Sequence, residues 1–265
     1  MKLHALPITL AVAGLIFGAR ADFFDNFDSY ANQAAFNAIW TANGGGSTLA
    51  LESTNSFSAA NAIAQSLTTA AQVNHLMAGI QGNVLDFSFR FYDAGGTRDF
   101  AQVYSRAGTV FTAGLNGALS FGSFNTTTSG KYAARFSAAT PANGALFADG
   151  ATIISATDTT GWFATSVSKS AGWHLMEVVG SVDPNNSAKD KFSFYVDGVL
   201  GGSVANAPDV TFNFAVLGGN NSSTPFGALY DDYSVSTVPE PGTLALSLLG
   251  GFAFALRAIT RRRSC

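Results

Sequence analysis

Residues 84–92, which read VLDFSFRFY, alternate between apolar and polar side chains. Successive side chains of an extended strand lie on opposite faces. The leucine and three phenylalanines therefore share one face, and the aspartate, serine and arginine share the other. The stretch predicts a half-buried strand whose buried face is almost entirely phenylalanine.

The same alternation recurs on both sides of this stretch. Residues 191–198, KFSFYVDG, place two phenylalanines and a valine on one face, and Asp197-Gly198 predicts a hairpin turn into 199–204, VLGGSV. Further strands are predicted at 98–106, 109–115, 119–124, 131–136, 172–182, 211–217 and 228–236. Clusters of Gly, Asn, Ser and Thr separate them. Many short strands divided by turns predict an all-β fold of two packed antiparallel sheets.

Residues 59–80 leave two interpretations open. Their alanine content is compatible with a helix, and a strand at 61–67 followed by a loop is the alternative. Thr68-Thr69 and the hairpin-rich surroundings favour the strand.

The first 21 residues have the three parts of a secretory signal peptide. They comprise one lysine, an apolar run over 6–17, and small residues Ala19 and Ala21 before Asp22. We expect export and a mature chain that begins near Asp22. The only cysteine is Cys265, so the exported body contains no disulfide and depends on core burial for its stability.

The body between residues 22 and 237 is acidic. It has 8 Lys and Arg against 16 Asp and Glu, a net charge of 8 − 16 = −8. A surface of that net charge is expected to repel nucleic acid and other anionic polymers.

The body resembles the concanavalin A-like and laminin G-like jelly rolls. The resemblance lies in FSFYVDGVLGGSV, in the Asp-Asp of ALYDDYSV near its end, and in the opening FFDNFDSY. It implies a two-sheet antiparallel jelly-roll sandwich in which the first strand pairs with the last. Many enzymes on this sandwich are glycosidases.

The sequence does not contain the carboxylate pair that glycoside hydrolysis requires in the pattern typical of such glucanases, Glu-x-Asp-x-Glu. The body has two glutamates, Glu52 and Glu177, and neither has a second acid two residues away. We therefore predict no catalytic residues. The alternative is a glycosidase or lyase in which Glu177 acts with an aspartate from another strand.

A calcium site is the metal site that the sequence favours. If the first and last strands are neighbours, Asp25 and Asp28 approach Asp231 and Asp232. On a regular strand Asp231 shares a face with Leu229, Tyr233 and Val235, and a buried carboxylate needs a cation or several hydrogen-bond donors. Ca²⁺ prefers such oxygen ligands.

Sugar recognition requires exposed aromatic rings with polar neighbours. Most aromatic residues of this phenylalanine-rich body are expected in the core. Trp162, beside a turn, and Tyr195, which faces away from Phe192 and Phe194, are the two predicted to be exposed and to form a glycan platform.

Residues 238–265 read VPEPGTLALSLLGGFAFALRAITRRRSC. The 13 uncharged residues 244–256 span about 20 Å as a helix, against about 30 Å for a bilayer core. A short transmembrane helix over 243–259 is predicted if Arg257 reaches the interface. The cluster Arg261, Arg262 and Arg263 is expected to stay cytoplasmic.

The order of Pro239-Glu240-Pro241, apolar span and arginine cluster resembles the PEP-CTERM sorting signal of Gram-negative bacteria. The resemblance implies recognition by an exosortase, a membrane cysteine protease. Removal of the tail and a final place at the cell surface or in the exopolysaccharide matrix would follow. The predicted organisation is a signal peptide at 1–21, a sandwich at 22–237 and a sorting tail at 238–265. The predicted role is non-enzymatic glycan binding or a structural function in that matrix.

Overall fold

A computed structural model describes residues 22–43, 49–65, 71–96, 98–124, 130–138, 147–148, 152–153, 162–219 and 227–238. The predicted signal peptide, the Pro-Glu-Pro motif and the predicted span at 243–259 lie outside these ranges. Among the residues described, no helix has the length and apolar character needed to cross a membrane.

Most residues of the described chain lie in β-strands. The first nine strands are β1 Phe23–Asp25, β2 Thr41–Ala42, β3 Ala50–Glu52, β4 Ala62–Ala64, β5 Val73–Gln81, β6 Leu85–Asp93, β7 Arg98–Arg106, β8 Leu115–Phe124 and β9 Lys131–Ala138. The rest are β10 Phe147–Ala148, β11 Thr152–Ile153, β12 Trp162–Ser168, β13 Gly172–Asp183, β14 Asn186–Val196, β15 Val199–Pro208, β16 Thr211–Leu217 and β17 Leu229–Thr237. One helix, α1 Gln33–Ile39, follows β1, and a 3₁₀ turn, Gly82–Val84, precedes β6.

The strands form two antiparallel sheets, which confirms the predicted all-β, two-sheet class. The nine-stranded sheet has the order β10-β15-β14-β13-β6-β17-β4-β3, and β1 also pairs with β17. The eight-stranded sheet has the order β11-β12-β9-β8-β7-β16-β5-β2. Strands distant in sequence are thus neighbours in both sheets.

Phenylalanine fills the space between the sheets. Phe194 of the nine-stranded sheet makes edge contacts with Phe121 and Phe163 of the other, with ring centroids 5.4 and 5.5 Å apart. Phe136 stacks against Phe192 at 5.3 Å in the same way. Burial of each such ring stabilises the fold by about 1.5–3 kcal/mol. The apolar face predicted for 84–92 is the face that packs here, since Phe87 and Phe89 are fully buried.

The predicted elements differ from the structure at several places. Strands β5 and β12 were not predicted. Residues 109–114 form a loop and turn between β7 and β8, not a strand, and Leu115 is the first residue of β8. The helix considered for 59–80 is wrong, because the described part of that range contains β4 and β5. Helix α1 was not predicted, since only Phe36 of its residues is buried and seven residues give a weak periodic signal.

The first strand pairs with the last, as predicted, with Asp25 opposite Tyr233. The regular alternation expected along the last strand is wrong. A bulge at Asp231 and Asp232, where Asp232 has φ +47°, shifts the register. As a result Tyr230 and Tyr233 both point into the core, and Asp231 points outward.

Candidate functional site

A row of side chains crosses the outer face of the eight-stranded sheet. Cross-strand pairing brings together one residue from each of six adjacent strands. In order across the sheet these are Asn74, Val216, Gln102, Ser120, Arg135 and Trp162. Four of the six are polar, so this face differs sharply from the phenylalanine face behind it.

Gln102 is the centre of this row. Its side chain is buried, and its amide oxygen accepts hydrogen bonds from the Tyr104 hydroxyl at 2.8 Å and the Ser120 hydroxyl at 3.0 Å. Its amide nitrogen donates to the carbonyl of Gly218 at 3.4 Å. These contacts fix the orientation of the amide and hold the Tyr104 hydroxyl in place, because a buried polar group is costly unless it is paired.

Arg106 is held by the loop 107–114 that joins β7 to β8. Its guanidinium donates to the carbonyl of Ala113 at 2.9 Å and lies 4.7 Å from the ring centroid of Phe111. Phe111 in turn stacks on Tyr104 at 5.5 Å. The loop therefore presents a cation whose position is fixed by one carbonyl and two rings.

These residues enclose a cavity of about 260 Å³. Its described lining residues are Asn43, Gln72, Phe100, Gln102, Tyr104, Arg106 and Arg135. Two larger hollows, of about 650 and 480 Å³, border the loop 107–114 on the same side of the sheet. The described lining of the 260 Å³ cavity offers amides, a phenol, a ring and two guanidinium groups, and contains no carboxylate.

Burial controls the ionisation of Tyr104. Desolvation raises the pKa of its phenol, and the charges of Arg135 and Arg106 oppose that rise. Desolvation lowers the pKa of Arg106. Tyr104 is thus neutral at physiological pH and serves as a hydrogen-bonding group.

Trp162 lies on this face but is only 3% exposed. Its ring stacks on Phe124 at 4.1 Å, nearly parallel, and Phe100 packs beside it at 5.1 Å. The expectation that Trp162 is exposed is therefore wrong, since a neighbouring ring already covers one of its faces. Its use as a glycan platform stays a prediction that requires contact through the partly exposed Phe124.

The sequence pattern did not identify Gln102, Tyr104, Arg106 and Arg135 as members of one site. A signal was present in 98–106, because every second residue from Arg98 onward is large and aromatic, amide or cationic. That pattern is typical of a strand whose outer face is functional, but it does not tell which strands lie beside it.

Tyr195 lies on the outer face of the other sheet, half-buried and directly opposite Glu177. Glu177 faces Ser88 on the next strand, and Asp86 is two residues away from Ser88 on the same side. Burial raises the pKa of Glu177, and the charge of Asp86 raises it further. Burial also raises the pKa of Asp86. The structure thus places a second carboxylate, Asp86, near Glu177, which is isolated in the sequence.

Three of the four aspartates predicted to hold calcium, Asp25, Asp28 and Asp231, bind protein donors. Asp231 is fully buried and accepts bonds from the backbone nitrogens of Phe57, Ser58 and Asp232 and from the Ser58 hydroxyl. Asp28 accepts bonds from the backbone nitrogens of 60 and 61. Both carboxylates therefore tie the segment 57–61 to the sheet.

Asp25 is buried beneath α1 and accepts bonds from the Tyr30 hydroxyl, the Trp40 indole and the Phe27 backbone nitrogen. Burial and the Asp25 carboxylate raise the pKa of Tyr30. Within the described ranges, no three His, Cys, Asp or Glu side chains group as metal ligands would. Structural calcium stays a prediction, and an unchanged melting temperature with chelator would contradict it.

Rings, amides and arginines thus lie on the outer side of one antiparallel sheet, over a phenylalanine core. This arrangement belongs to the class of all-β sandwiches. The chain carries a PEP-CTERM protein-sorting motif at residues 237–263. The motif indicates a protein that is exported and anchored at the membrane before it is processed. No curated protein matches the chain.

Solved structures with a similar fold are jelly-roll, concanavalin A-like lectins, glucanases and lyases. An endo-β-1,4-glucuronan lyase from Trichoderma reesei is 16% identical over 83% of this chain and 96% of its own, with a TM-score of 0.48. A Bacillus licheniformis β-glucanase is 14% identical over 81% and 97%, with a TM-score of 0.44. The Emp47p carbohydrate recognition domain is 10% identical over 83% and 97%, with a TM-score of 0.49.

Proposed function

We propose that this chain is an exported cell-surface or extracellular-matrix protein that binds glycan on the outer face of its eight-stranded sheet. The observation that carries the proposal is the 260 Å³ cavity. It presents oriented amide, phenol and guanidinium groups beside aromatic rings. Those are the groups that hydrogen-bond sugar hydroxyls and pack against sugar rings.

Binding without catalysis fits the chemistry of the cavity. Glycoside hydrolysis requires an acid and a base or nucleophile, usually two carboxyl groups. The described lining contains neither. Tyr104, the one titratable group there besides the arginines, has a raised pKa and its hydroxyl donates to Gln102.

A glycan array with the full-length chain in mild detergent tests this function. We expect binding that Gln102→Ala weakens by at least tenfold, because the substitution releases both hydroxyls that the amide orients. Ser193→Ala, on the outer face of the other sheet, is the control and is expected to leave binding unchanged. Absence of binding to every glycan would refute the proposal.

Export and processing are tested separately. We propose that an exosortase removes the tail after the strand β17, which ends at Thr237. Val238 is still hydrogen-bonded to Val84 at 2.6 Å, so the fold reaches to the residue before Pro239. Mass spectrometry of surface protein is expected to find no peptide that contains Arg261 to Arg263. Mature protein that retains these arginines would contradict processing.

A polysaccharide-cleaving enzyme is the second candidate, because Glu177 and Asp86 share the outer face of the nine-stranded sheet. Diagonal neighbours in an antiparallel pair have backbone positions about 7–8 Å apart, and their carboxyl groups can reach the roughly 6.5–9.5 Å separation of inverting glycosidases. The raised pKa of Glu177 suits a general acid. A reducing-sugar assay decides: turnover that Glu177→Gln abolishes would establish the enzyme, and binding without turnover supports the first proposal.

A further inference from the structure

The charges of this domain are divided between its two sheets. The described strands of the nine-stranded sheet contain three Lys or Arg and nine Asp or Glu, a net charge of 3 − 9 = −6. Those of the eight-stranded sheet contain four Lys or Arg and one Asp, a net charge of 4 − 1 = +3. The cationic residues of the second sheet are Arg98, Arg106, Lys131 and Arg135. The net charge of −8 for the whole body hides this division.

The single carboxylate of the eight-stranded sheet points away from the outer face. Asp99 is 1% exposed, and it accepts a hydrogen bond from the backbone nitrogen of Gly227 at 3.2 Å. Its neighbour Phe100 packs with Trp162 on the outer face, so Asp99 lies on the inner side of the strand. At its described strand positions, the outer face therefore bears cations and no carboxylate. One carboxylate, Asp209 between β15 and β16, lines the neighbouring hollow of about 650 Å³.

Three of the four cations lie over aromatic rings of the same face. Arg98 is 5.3 Å from the ring centroid of Phe124, and Arg135 is 5.8 Å from that of Trp162. Arg106 is 4.7 Å from Phe111. A ring beneath a guanidinium limits its rotation and leaves its edge available for hydrogen bonds. The face thus holds fixed cations beside apolar rings.

Arg106 has unused hydrogen-bonding capacity. Its Nε is buried and has no hydrogen-bond partner among the described residues. Burial lowers the pKa of Arg106, so an anion at this position would offset the cost of burying its charge. A planar carboxylate matches the geometry of a guanidinium better than a neutral hydroxyl does.

We propose that the outer face of the eight-stranded sheet binds an acidic polysaccharide whose uronate carboxylates pair with Arg106. This inference rests on the proposed glycan-binding function and adds the substrate class. On the outer face of the other sheet, Glu177 and Asp86 would repel the same polymer. The repulsion of anionic polymers expected from net charge therefore does not extend to the outer face of the eight-stranded sheet.

The test compares polygalacturonate with the same polymer after its carboxyl groups have been reduced. The full-length chain is used in mild detergent, and binding is measured by calorimetry. We expect the acidic polymer to bind at least tenfold more tightly than the reduced one. We also expect the difference to shrink as NaCl rises from 0.05 to 0.5 M, because salt screens exposed charges.

Arg106→Gln is expected to weaken binding of the acidic polymer about tenfold, equivalent to about 1.4 kcal/mol. Arg106→Lys keeps the charge but loses the planar guanidinium, and its affinity should lie between those of wild type and Arg106→Gln. Lys189→Gln removes one positive charge from the other sheet and should change affinity less than twofold. A melting curve for each variant checks its fold. If Arg106→Gln does not fold, the loss with Arg106→Lys is compared with that of Lys189→Gln, and equal losses would refute the inference.

Two negative results have different meanings. Equal affinity for the acidic and the reduced polymer would overturn this inference and leave the proposed glycan binding intact. No affinity for either polymer, together with an empty glycan array, would overturn both. Equal losses with Arg106→Gln and Lys189→Gln would also refute the inference, because they would reduce the effect to net charge.

Discussion

Asp231→Asn tests whether hydrogen bonds to the buried Asp231 carboxylate stabilise the fold. The side chain is buried on the outer side of β17 beneath the segment 57–61. Its Oδ2 accepts bonds from the backbone nitrogens of Phe57 and Ser58, both at 2.9 Å. Its Oδ1 accepts from the Ser58 hydroxyl at 3.0 Å and the Asp232 nitrogen at 2.8 Å. The carboxylate thus receives four donors and has the several partners that burial requires.

An asparagine keeps one of the two oxygens. Its amide nitrogen cannot accept, so at least one of the four bonds is lost whichever way the amide turns. Both bonds from the Phe57 and Ser58 nitrogens are lost if the amide nitrogen replaces Oδ2; only the Asp232 bond is lost if it replaces Oδ1, because the Ser58 hydroxyl can turn and accept. Hydrogen bonds to a charged group contribute about 1.5–3 kcal/mol each. A loss of about 1.5–3 kcal/mol is expected, which corresponds to a fall of about 3–12 °C in melting temperature for a domain of this size.

Asp232→Asn is the matched control, and scanning calorimetry is the assay. Burial and the charge of Asp231 raise the pKa of Asp232, so removal of its charge relieves a repulsion. Asparagine also accepts the positive φ at this position. The control should therefore stay within about 1 kcal/mol of wild type. A melting temperature for Asp231→Asn within about 2 °C of wild type would refute the hydrogen-bond reasoning.

Two further stability predictions follow from buried groups. Burial raises the pKa of Asp99 to about 7, so its contribution to wild-type stability is complete below about pH 4 and is lost as pH rises through 7. The melting temperature of Asp99→Asn should therefore rise relative to that of wild type between pH 5 and pH 8. A difference in melting temperature that does not change with pH would contradict this. A Cβ on Gly180 would overlap the carbonyl oxygen of Gly82, so Gly180→Ala should cost about 3 kcal/mol or more. A Cβ on Gly114 would meet nothing within 4 Å, so Gly114→Ala should leave the free energy of unfolding in denaturant nearly unchanged. Equal losses for Gly180→Ala and Gly114→Ala would refute the steric argument.

Local alternation was enough to predict most strands. Strands 98–106 and 211–217 have the predicted bounds, because each face of a half-buried strand has one chemical character. The strand predictions were wrong where apolar and polar side chains do not alternate along the chain. The loop 107–114 is held by Arg106 and Phe111 through contacts to neighbouring strands, and a window of adjacent residues does not contain them.

The aspartate pair of the last strand shows a second limit. Asp231 was placed on the apolar face by counting every second residue, and a bulge of one residue reversed that assignment. The pairing of the first and last strands was nevertheless correct. Sequence resemblance identified the neighbours, and only the backbone conformation at Asp232 determined which way each side chain points.

The sequence by itself determined the two-sheet β architecture and the sorting signal of this protein. Period-two alternation requires half-buried strands, and the sorting motif at 237–263 lies in one contiguous stretch. Only the tertiary structure decided where charge accumulates. Lysine and arginine from β7 and β9, far from each other in the chain, meet on one face because antiparallel pairing places β8 between them. Composition averages those cations with carboxylates that the fold places mainly on the other sheet.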